Sequence, residues 1–576
     1  MIKMKATSRR QIAISVLVFV LTLIAVLLAF LRVAPNSELV GYIPNVFNLA
    51  YYVPLILWVA IFALVALFLS IAFSNVTRLS GRLAYVSMFV LMLAILLVFY
   101  GFPNITEKNP RFVDSWVHGR TAKEIFDKGN LDLDEFAYQA YPSSFIFLST
   151  LAIMSGIGLT ELLTVIPLVF IALFFSFLTF LGRNLLKKPK LAIIFALIYG
   201  LSSFQLAFHF SPEIFGWLLF LLLLALMAKR INSNSGAVLS SRSMFVVLAL
   251  LLIGITTSHP VTQFLTLLVM LSVTLLAKMI WRSKFTQHEL VGLALLTIIM
   301  FSMWALSFGY LYFSSIVSSF VSAFRTVLSN LSYSIAAHPF QVYYPPGIAI
   351  LDSYRQVLYV TVMLSSMVGA YFLWKHQRDT FSFVLTLLAV SLISAPLTLF
   401  GILPLERTIR LAFIPASLFL AYLITIERHA RLAKVGASVL LFLLLTFPLN
   451  FASFYWNEIS RNATLDWEVS SAKFIGFNSN GILLGEFKET AIQTYYGNFS
   501  LVYNDYYLVG NRPDIFNYTF IEEGRMNVIY ITQLSVLRAS WSGMNLSMEL
   551  FLNSSFLDCV HSNGYSIVLV RNHLGP

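Results

Sequence analysis

Apolar runs of bilayer length recur along most of the chain, and they leave little freedom in what it can fold into. A helix needs about 20 apolar residues to cross the hydrocarbon core of a membrane. Such runs lie near 11–32, 49–73, 84–102, 160–181, 191–208, 213–228, 243–258, 261–281, 289–313, 355–374, 381–401, 409–427 and 435–452, about thirteen spans in all. Lipid offers no partner for backbone N–H and C=O groups, so these runs are expected as an all-α polytopic bundle. Only 11% of residues are charged and 59% are hydrophobic. An ordinary soluble domain has about 25% charged residues.

Lysine and arginine gather in alternate loops: Lys3/Lys5/Arg9/Arg10, Arg78/Arg82, Arg183/Lys187/Lys188/Lys190, Lys229/Arg230/Arg242, Arg282/Lys284, Lys375/Arg378 and Arg428/Arg431/Lys434. Basic loops stay cytoplasmic, so the net charge of +12 reflects insertion and does not call for nucleic acid. Loops 103–143, 314–354 and 402–408, and the tail beyond 453, then face outward. Phe145–Ile157 is apolar, but at about 13 residues it is short for a crossing. Counting it would also reverse every later loop, so it is read as a re-entrant or interfacial helix on the outer face. Asn-x-Ser/Thr sequons at Asn104, Asn330, Asn462, Asn498, Asn517, Asn545 and Asn553 fall on that face, and only Asn75 falls on the other. The run Gln11–Leu31 exceeds the apolar core of a secretory signal and is read as an uncleaved anchor. A multi-pass cell-membrane protein follows, with a cytoplasmic N-terminus and an extracytoplasmic C-terminal region.

Two domains are expected, a transmembrane module over 1–452 and a small extracytoplasmic α/β domain over 453–576. Strand-like runs at Ile482–Phe487, Leu501–Tyr503, Val528–Thr532 and Tyr565–Val570 alternate there with helix-like Thr490–Tyr496 and Met544–Leu552. Asn563-Gly564 is a hairpin turn signal. Cys559 is the one cysteine, which excludes a disulfide framework and a cysteine metal site. No Gly-rich phosphate loop occurs in the chain.

Ionisable side chains at membrane depth or at its edge are expensive and mark function. On the outer face they begin with Asp114 and His118, one helical turn apart. Asp114 reads either as a general base for an attacking hydroxyl or as the N-cap of a helix through Ile125. His118 could orient that carboxylate, bind phosphate or face water. Asp132 and Asp134 could hold a divalent cation such as Mg²⁺ or Mn²⁺, or be solvated loop residues. Glu406, Arg407 and Arg410 stand where a span meets the outer face; two arginines three residues apart suit a lipid phosphate. His209 and Glu213, and His259, occupy tight outer turns that could line one cavity or be merely structural. Tyr344, in Tyr343-Tyr344-Pro345-Pro346-Gly347, suits a lid, a carbohydrate platform or a lipid-facing aromatic.

A span, an outer loop opening on Asp114 in Arg111–His118, a glycine, the Tyr141-Pro142 step, an apolar segment ending at Gly156/Gly158 and a span closing on Arg183 follow in that order. This order resembles the GT-C integral-membrane glycosyltransferases. They include protein mannosyltransferases, aminoarabinose transferases, oligosaccharyltransferases and archaeal members. The resemblance implies transfer of a sugar from a polyprenyl-phosphate-linked donor to a glycan, lipid or protein acceptor at the outer face. Asp114 would be the catalytic base, and Arg407 and Arg410 would hold the donor phosphate. Two spans precede the one that family members place first. No Trp-Trp-Asp-Tyr-Gly-like motif is present, so oligosaccharyltransferase activity itself is not expected. Other readings are a polysaccharide polymerase or ligase using a polyprenyl-pyrophosphate glycan, and a lipid-linked-sugar flippase or transporter.

Overall fold

The computed structural model describes residues 55–73, 81–107, 109–130, 137–203, 208–232, 241–280, 287–310, 313–314, 317–318, 321, 348–399, 405–424, 430–446 and 448–449. Beyond these it describes 472–473 and five strands. Among the described residues fourteen α-helices run through the first part: α1 Leu55–Phe73, α2 Gly81–Thr106, α3 Val113–Lys128, α4 Ser143–Ser155, α5 Leu159–Leu186, α6 Pro189–Ser202 and α7 Pro212–Asn232. They continue with α8 Ser241–Thr256, α9 Pro260–Ile280, α10 Gln287–Leu306, α11 Ile348–His376, α12 Arg378–Leu399, α13 Leu405–Leu423 and α14 Ala430–Leu445. Twelve of them, all but α3 and α4, coincide with apolar runs read from the sequence. Segments of α2, α5, α7, α10 and α11 are both long and apolar enough to cross a bilayer. The chain is a multi-pass membrane protein. The expected anchor at 11–32 lies outside the described residues.

The bundle is organised around α6, in which every residue from Leu191 to Ser202 is buried. A helix that is apolar all round has no face to offer water and belongs inside. Helices α5, α13 and α2 pack around it. Small residues permit the closest approaches. A Cβ on Gly369 of α11 would fall within bonding distance of the Phe419 carbonyl of α13, so only glycine allows that crossing. Tyr100 of α2 donates to the carbonyls of Gly200 (2.6 Å) and Ser203 (3.1 Å). That tie secures the end of α6, from which the chain turns towards α7.

Helices α3 and α4 pack on each other beside α5 and α7. Neither is a crossing by length. Helix α4 buries Phe145, Leu148 and Ala152 while exposing Ile146, Phe147, Ile153 and Met154, so it is apolar on both sides, as expected of a helix lying in lipid. It ends at Gly156, which sits at φ 68° and closes the helix through its N–H to Ala152 O. Asn104 lies inside the last turns of α2, and its side-chain amide donates to Thr164 O at 3.1 Å. Its sequon is therefore held by α5 and does not mark accessible surface. The other sequon asparagines lie outside the described residues.

In the C-terminal region five strands form one sheet in the order β2-β1-β3-β5-β4: β1 Ile482–Leu484, β2 Leu501–Tyr503, β3 Val528–Thr532, β4 Leu557–Ser562 and β5 Ser566–Arg571. The β1 pairings with β2 and β3 are parallel; β3 with β5 and β4 with β5 are antiparallel. The Ser562↔Ile567 register brackets the Asn563-Gly564 turn signal. The helix-like stretches 490–496 and 544–552 lie outside the described residues.

Candidate active site

Several helices begin at one end of the bundle, and each brings a polar side chain in its first turn or just before it. Asp114 is the second residue of α3. The N-cap is Phe112, in extended conformation and without a side-chain cap bond. That corrects the reading of Asp114 as the cap: its carboxylate is not spent on the backbone. It lies instead with Oδ2 3.5 Å from Nε2 of His209, whose ring stacks on Phe112 at 5.0 Å between centroids. Partial withdrawal from water raises the Asp114 pKa, but the hydrogen bond and charge of His209, helped by His118, pull it down to about 2. The carboxyl group is therefore ionised, and its side chain, 58% exposed, is within reach of a second molecule.

His118, one turn on, is buried against Phe145. Burial drives its pKa down to about 4, which keeps the imidazole neutral at physiological pH.

Four residues beyond His209 stands Glu213. Ser211 caps α7, accepting the Ile214 N–H at 3.2 Å; Pro212 fits the first helical position and an acid fits the first turn. The Glu213 carboxylate takes one guanidinium on each oxygen: Arg407 Nη2 at 2.8 Å on Oε2 and Arg410 Nη1 at 2.5 Å on Oε1. Both arginines belong to the first turns of α13. Tyr199 of the central helix holds the Arg410 backbone, its hydroxyl 3.3 Å from the carbonyl. Sequence placed Glu213 only in the pocket; it is the group that gathers both arginines. Two guanidinium groups thus meet one carboxylate.

His259 precedes α9 and is buried. Its Nδ1 accepts the Thr262 N–H at 3.3 Å, which assigns the ring proton to Nε2. Burial and the neighbouring Arg407 hold its pKa down at about 3. The α7 and α9 starts abut, since a Cβ on Gly216 would lie 3.2 Å from Thr262 Oγ1 and 3.3 Å from His259 Cβ.

Asp114, His209, Glu213, Arg407, Arg410, His118 and His259 thus share one end of the bundle. Glu406 is in the first turn of α13; its side chain, with Asp132, Asp134 and Tyr344, lies outside the described residues. Among the described residues no group of three His, Cys, Asp or Glu side chains has the spacing of a metal site.

From this end a cavity of about 470 Å³ runs between α11, α12 and α13. Met363, Met367, Leu392, Ala412, Ala416 and Phe419 line it, with Thr408 among its polar residues. One face of α13 therefore carries the arginines and another lines an apolar cleft. The sequence reading missed this cleft, because small residues at 408, 412 and 416 look like ordinary helix packing.

The fold matches that of an archaeal oligosaccharyltransferase, AglB from Archaeoglobus fulgidus, in complex with an inhibitory peptide and a dolichol-phosphate. The TM-score is 0.54 at 10% identity, over 86% of this chain and 75% of that one. The apo form of the Archaeoglobus fulgidus oligosaccharyltransferase gives 0.50 at 13% identity, over 85% and 74%. This chain has the GT-C fold. ArnT from Cupriavidus metallidurans in the apo state gives 0.49 at 13% identity, over 85% and 98%. No family model and no curated protein matches the chain. In this chain α3 carries Asp114, the start of α7 carries His209 and Glu213, and α13 carries the arginines that Glu213 holds.

Proposed function

We propose that this protein is a membrane glycosyltransferase that moves a sugar from a polyprenyl-phosphate-linked donor to an acceptor at the extracytoplasmic face. The observation that carries this reading is the meeting of an exposed carboxylate, two largely buried guanidinium groups and an apolar cleft at one end of the bundle. A lipid phosphate has the matching parts: an anionic head, a long apolar tail and a sugar at their junction. Helix N-termini add partial positive charge at the same place.

In the reaction the acceptor hydroxyl attacks the anomeric carbon while Asp114 takes its proton. The bond from that carbon to the phosphate oxygen breaks, and the electron pair leaves with the polyprenyl phosphate. Arg407 and Arg410 stabilise the charge that develops there. A carboxylate with a pKa of about 2 is a weak base, which suits a transition state in which the leaving group departs well before the proton moves. Arrival of a phosphate anion nearby also raises that pKa. The basic clusters at the far ends of the same helices, such as Lys229 and Arg230 of α7, support an extracytoplasmic position for this end by the positive-inside rule.

Mass spectrometry of lipid retained by the purified full-length chain tests the reading. The parent protein is expected to carry a polyprenyl phosphate or its glycosylated form, and Arg407→Gln to lose most of it. Absence of any lipid phosphate from the parent, together with no transfer from a polyprenyl phosphosugar, would sink it.

A further inference from the structure

A base has to be aimed as well as ionised. The Asp114 side chain is 58% exposed, and an exposed aspartate left to itself moves among several rotamers. A reacting group out of place by about 1 Å costs about 10²-fold in rate. The contact that can hold Asp114 is His209, with Nε2 3.5 Å from Oδ2. The other carboxylate oxygen, Oδ1, makes no hydrogen bond among the described residues.

His209 is itself fixed from both sides. Phe208 is buried, with its ring edge-on to Tyr100 at 5.0 Å and to Phe174 at 5.3 Å. Phe210 is buried against Phe145 of α4, 6.5 Å between centroids. Moving the turn would open both of these aromatic contacts. The imidazole lies on the ring of Phe112, the N-cap of α3, two residues before Asp114. One side chain thus touches both the start of α3 and the carboxylate that α3 presents. A phenylalanine would serve the ring stack equally well. Histidine adds a nitrogen beside the carboxylate, and that nitrogen donates when it carries the ring proton.

We infer that His209 is the positioning residue for the base: its Nε2–H holds Oδ2 of Asp114 and leaves Oδ1 for the acceptor hydroxyl. It touches neither sugar nor phosphate and acts only through Asp114. The other ionisable groups that act on Asp114 are His118, which is buried and neutral, and Glu213, which two arginines hold. The inference rests on the sugar-transfer reading above and adds the residue that aims its base.

The full-length chain in lipid nanodiscs carries the test, with polyprenyl phosphate and polyprenyl phosphomannose as probes. His209→Phe keeps a ring on Phe112 and removes the nitrogen; His209→Gln gives up the stack and returns an amide N–H. Carbodiimide coupling of an amine to Asp114, read by peptide mass spectrometry between about pH 5 and pH 7, follows the protonated fraction of its carboxyl group. The hydrogen bond and charge of His209 lower that fraction, so His209→Phe should raise the coupling rate about ten-fold or more, and His209→Gln should raise it less. The kcat for mannose release should fall about 10–100-fold in His209→Phe, with KM for the phosphomannose unchanged, and should recover at least in part in His209→Gln. Adding His209→Phe to Asp114→Asn should cost nothing further, because an effect passed through a carboxylate ends with it. A parental coupling rate or a parental kcat in His209→Phe overturns the inference. So does an equal loss of rate with and without Asp114, or a lowered Tm with weaker retention of polyprenyl phosphate, which are the marks of a structural role. A parent that neither retains lipid phosphate nor releases mannose sinks the sugar-transfer reading, while the coupling rates still decide whether His209 holds Asp114.

Discussion

At its first turn α7 places Glu213 between Arg407 and Arg410; at its last turn it places Arg230 beside Glu289 of α10, with 3.5 Å between Nη2 and Oε2. Both ends put the right charge against the helix dipole, acid at the start and base at the end. Burial does not separate them: the side chains of Glu213 and Arg407 are 18% and 16% exposed, those of Glu289 and Arg230 19% and 20%. Stoichiometry does. The far-end pair is one cation with one anion. The near end holds two cations against one anion, with the half-exposed Asp114 and three imidazoles around it. Two guanidinium groups gathered beside an exposed carboxylate suit the proposed phosphate site, whereas a single pair suits a fastening.

The largest expected effect separates chemistry from architecture at the near end. Asp114→Asn keeps the shape of the first turn of α3 but cannot take a proton. Sugar transfer should fall by about 10²–10⁴-fold while lipid phosphate is still retained. Transfer at parental rates would remove Asp114 from the reaction. Next comes Glu213→Gln, which leaves two buried guanidinium groups facing each other without their carboxylate. Breaking a buried pair in this way costs about 3–5 kcal/mol. Thermal unfolding in detergent should show it as the most damaging single charge removal among these pairs. A loss no larger than that of the corresponding change at Glu289 would erase the contrast between the two ends.

Much of the bundle was legible because its signal is local. Twenty apolar residues in a row need no partner to be recognised, and the short Phe145–Ile157 run could be set aside by its length and by the alternation of basic loops. It appears as α4, thirteen residues long. The near-end cluster was legible only as a set of costly residues on one face. Its pairing was not, because Glu213 meets arginines 194 and 197 positions away, and no periodicity carries such information. Local rules also misassigned two residues. An acid at a helix start suggested a cap, yet the chain enters α3 two residues earlier through Phe112. A sequon suggested accessible surface, yet Asn104 is inside a helix and tied to the next span. In both cases the tertiary setting decides what a local pattern leaves open. The imidazole partner of Asp114 is a further instance. His118 has the helical spacing, but His209, from a distant turn, stands 3.5 Å away.

Acid separates the ends again, by a smaller amount. Burial holds His118 at about 4 and His259 at about 3, below the ordinary imidazole value of 6.5. The unfolded chain therefore binds protons first as pH falls through 6.5, and stability declines from there towards pH 4. The slope is at most about 1.4 kcal/mol per pH unit for each histidine. Asp114 has the same sign, but its folded-state value of about 2 puts its loss below pH 4, where the histidines have already acted. Acid inactivation is thus expected to follow unfolding and not protonation of the base. Unfolding midpoints measured between about pH 7 and pH 4 should fall, and His118→Asn should flatten the curve. An unchanged slope in that variant would mean that His118 is charged in the folded protein.

The smallest effect belongs to the far end and is the control for all the rest. Glu289→Gln removes the anion beside Arg230, but the remaining guanidinium is one charge at a helix C-terminus, where the macrodipole favours it. A single partly exposed pair at 3.5 Å contributes about 1 kcal/mol or less, and salt screens much of that. The variant should bind lipid phosphate and transfer sugar as the parent does, with a slight loss in thermal stability that shrinks further in high salt. Added salt should do little at Glu213, whose two bonds are short and shared between helices α7 and α13. If Glu289→Gln instead impaired transfer, charge at the far end would matter to the reaction, and the division between fastening and site would have to be redrawn along the length of α7.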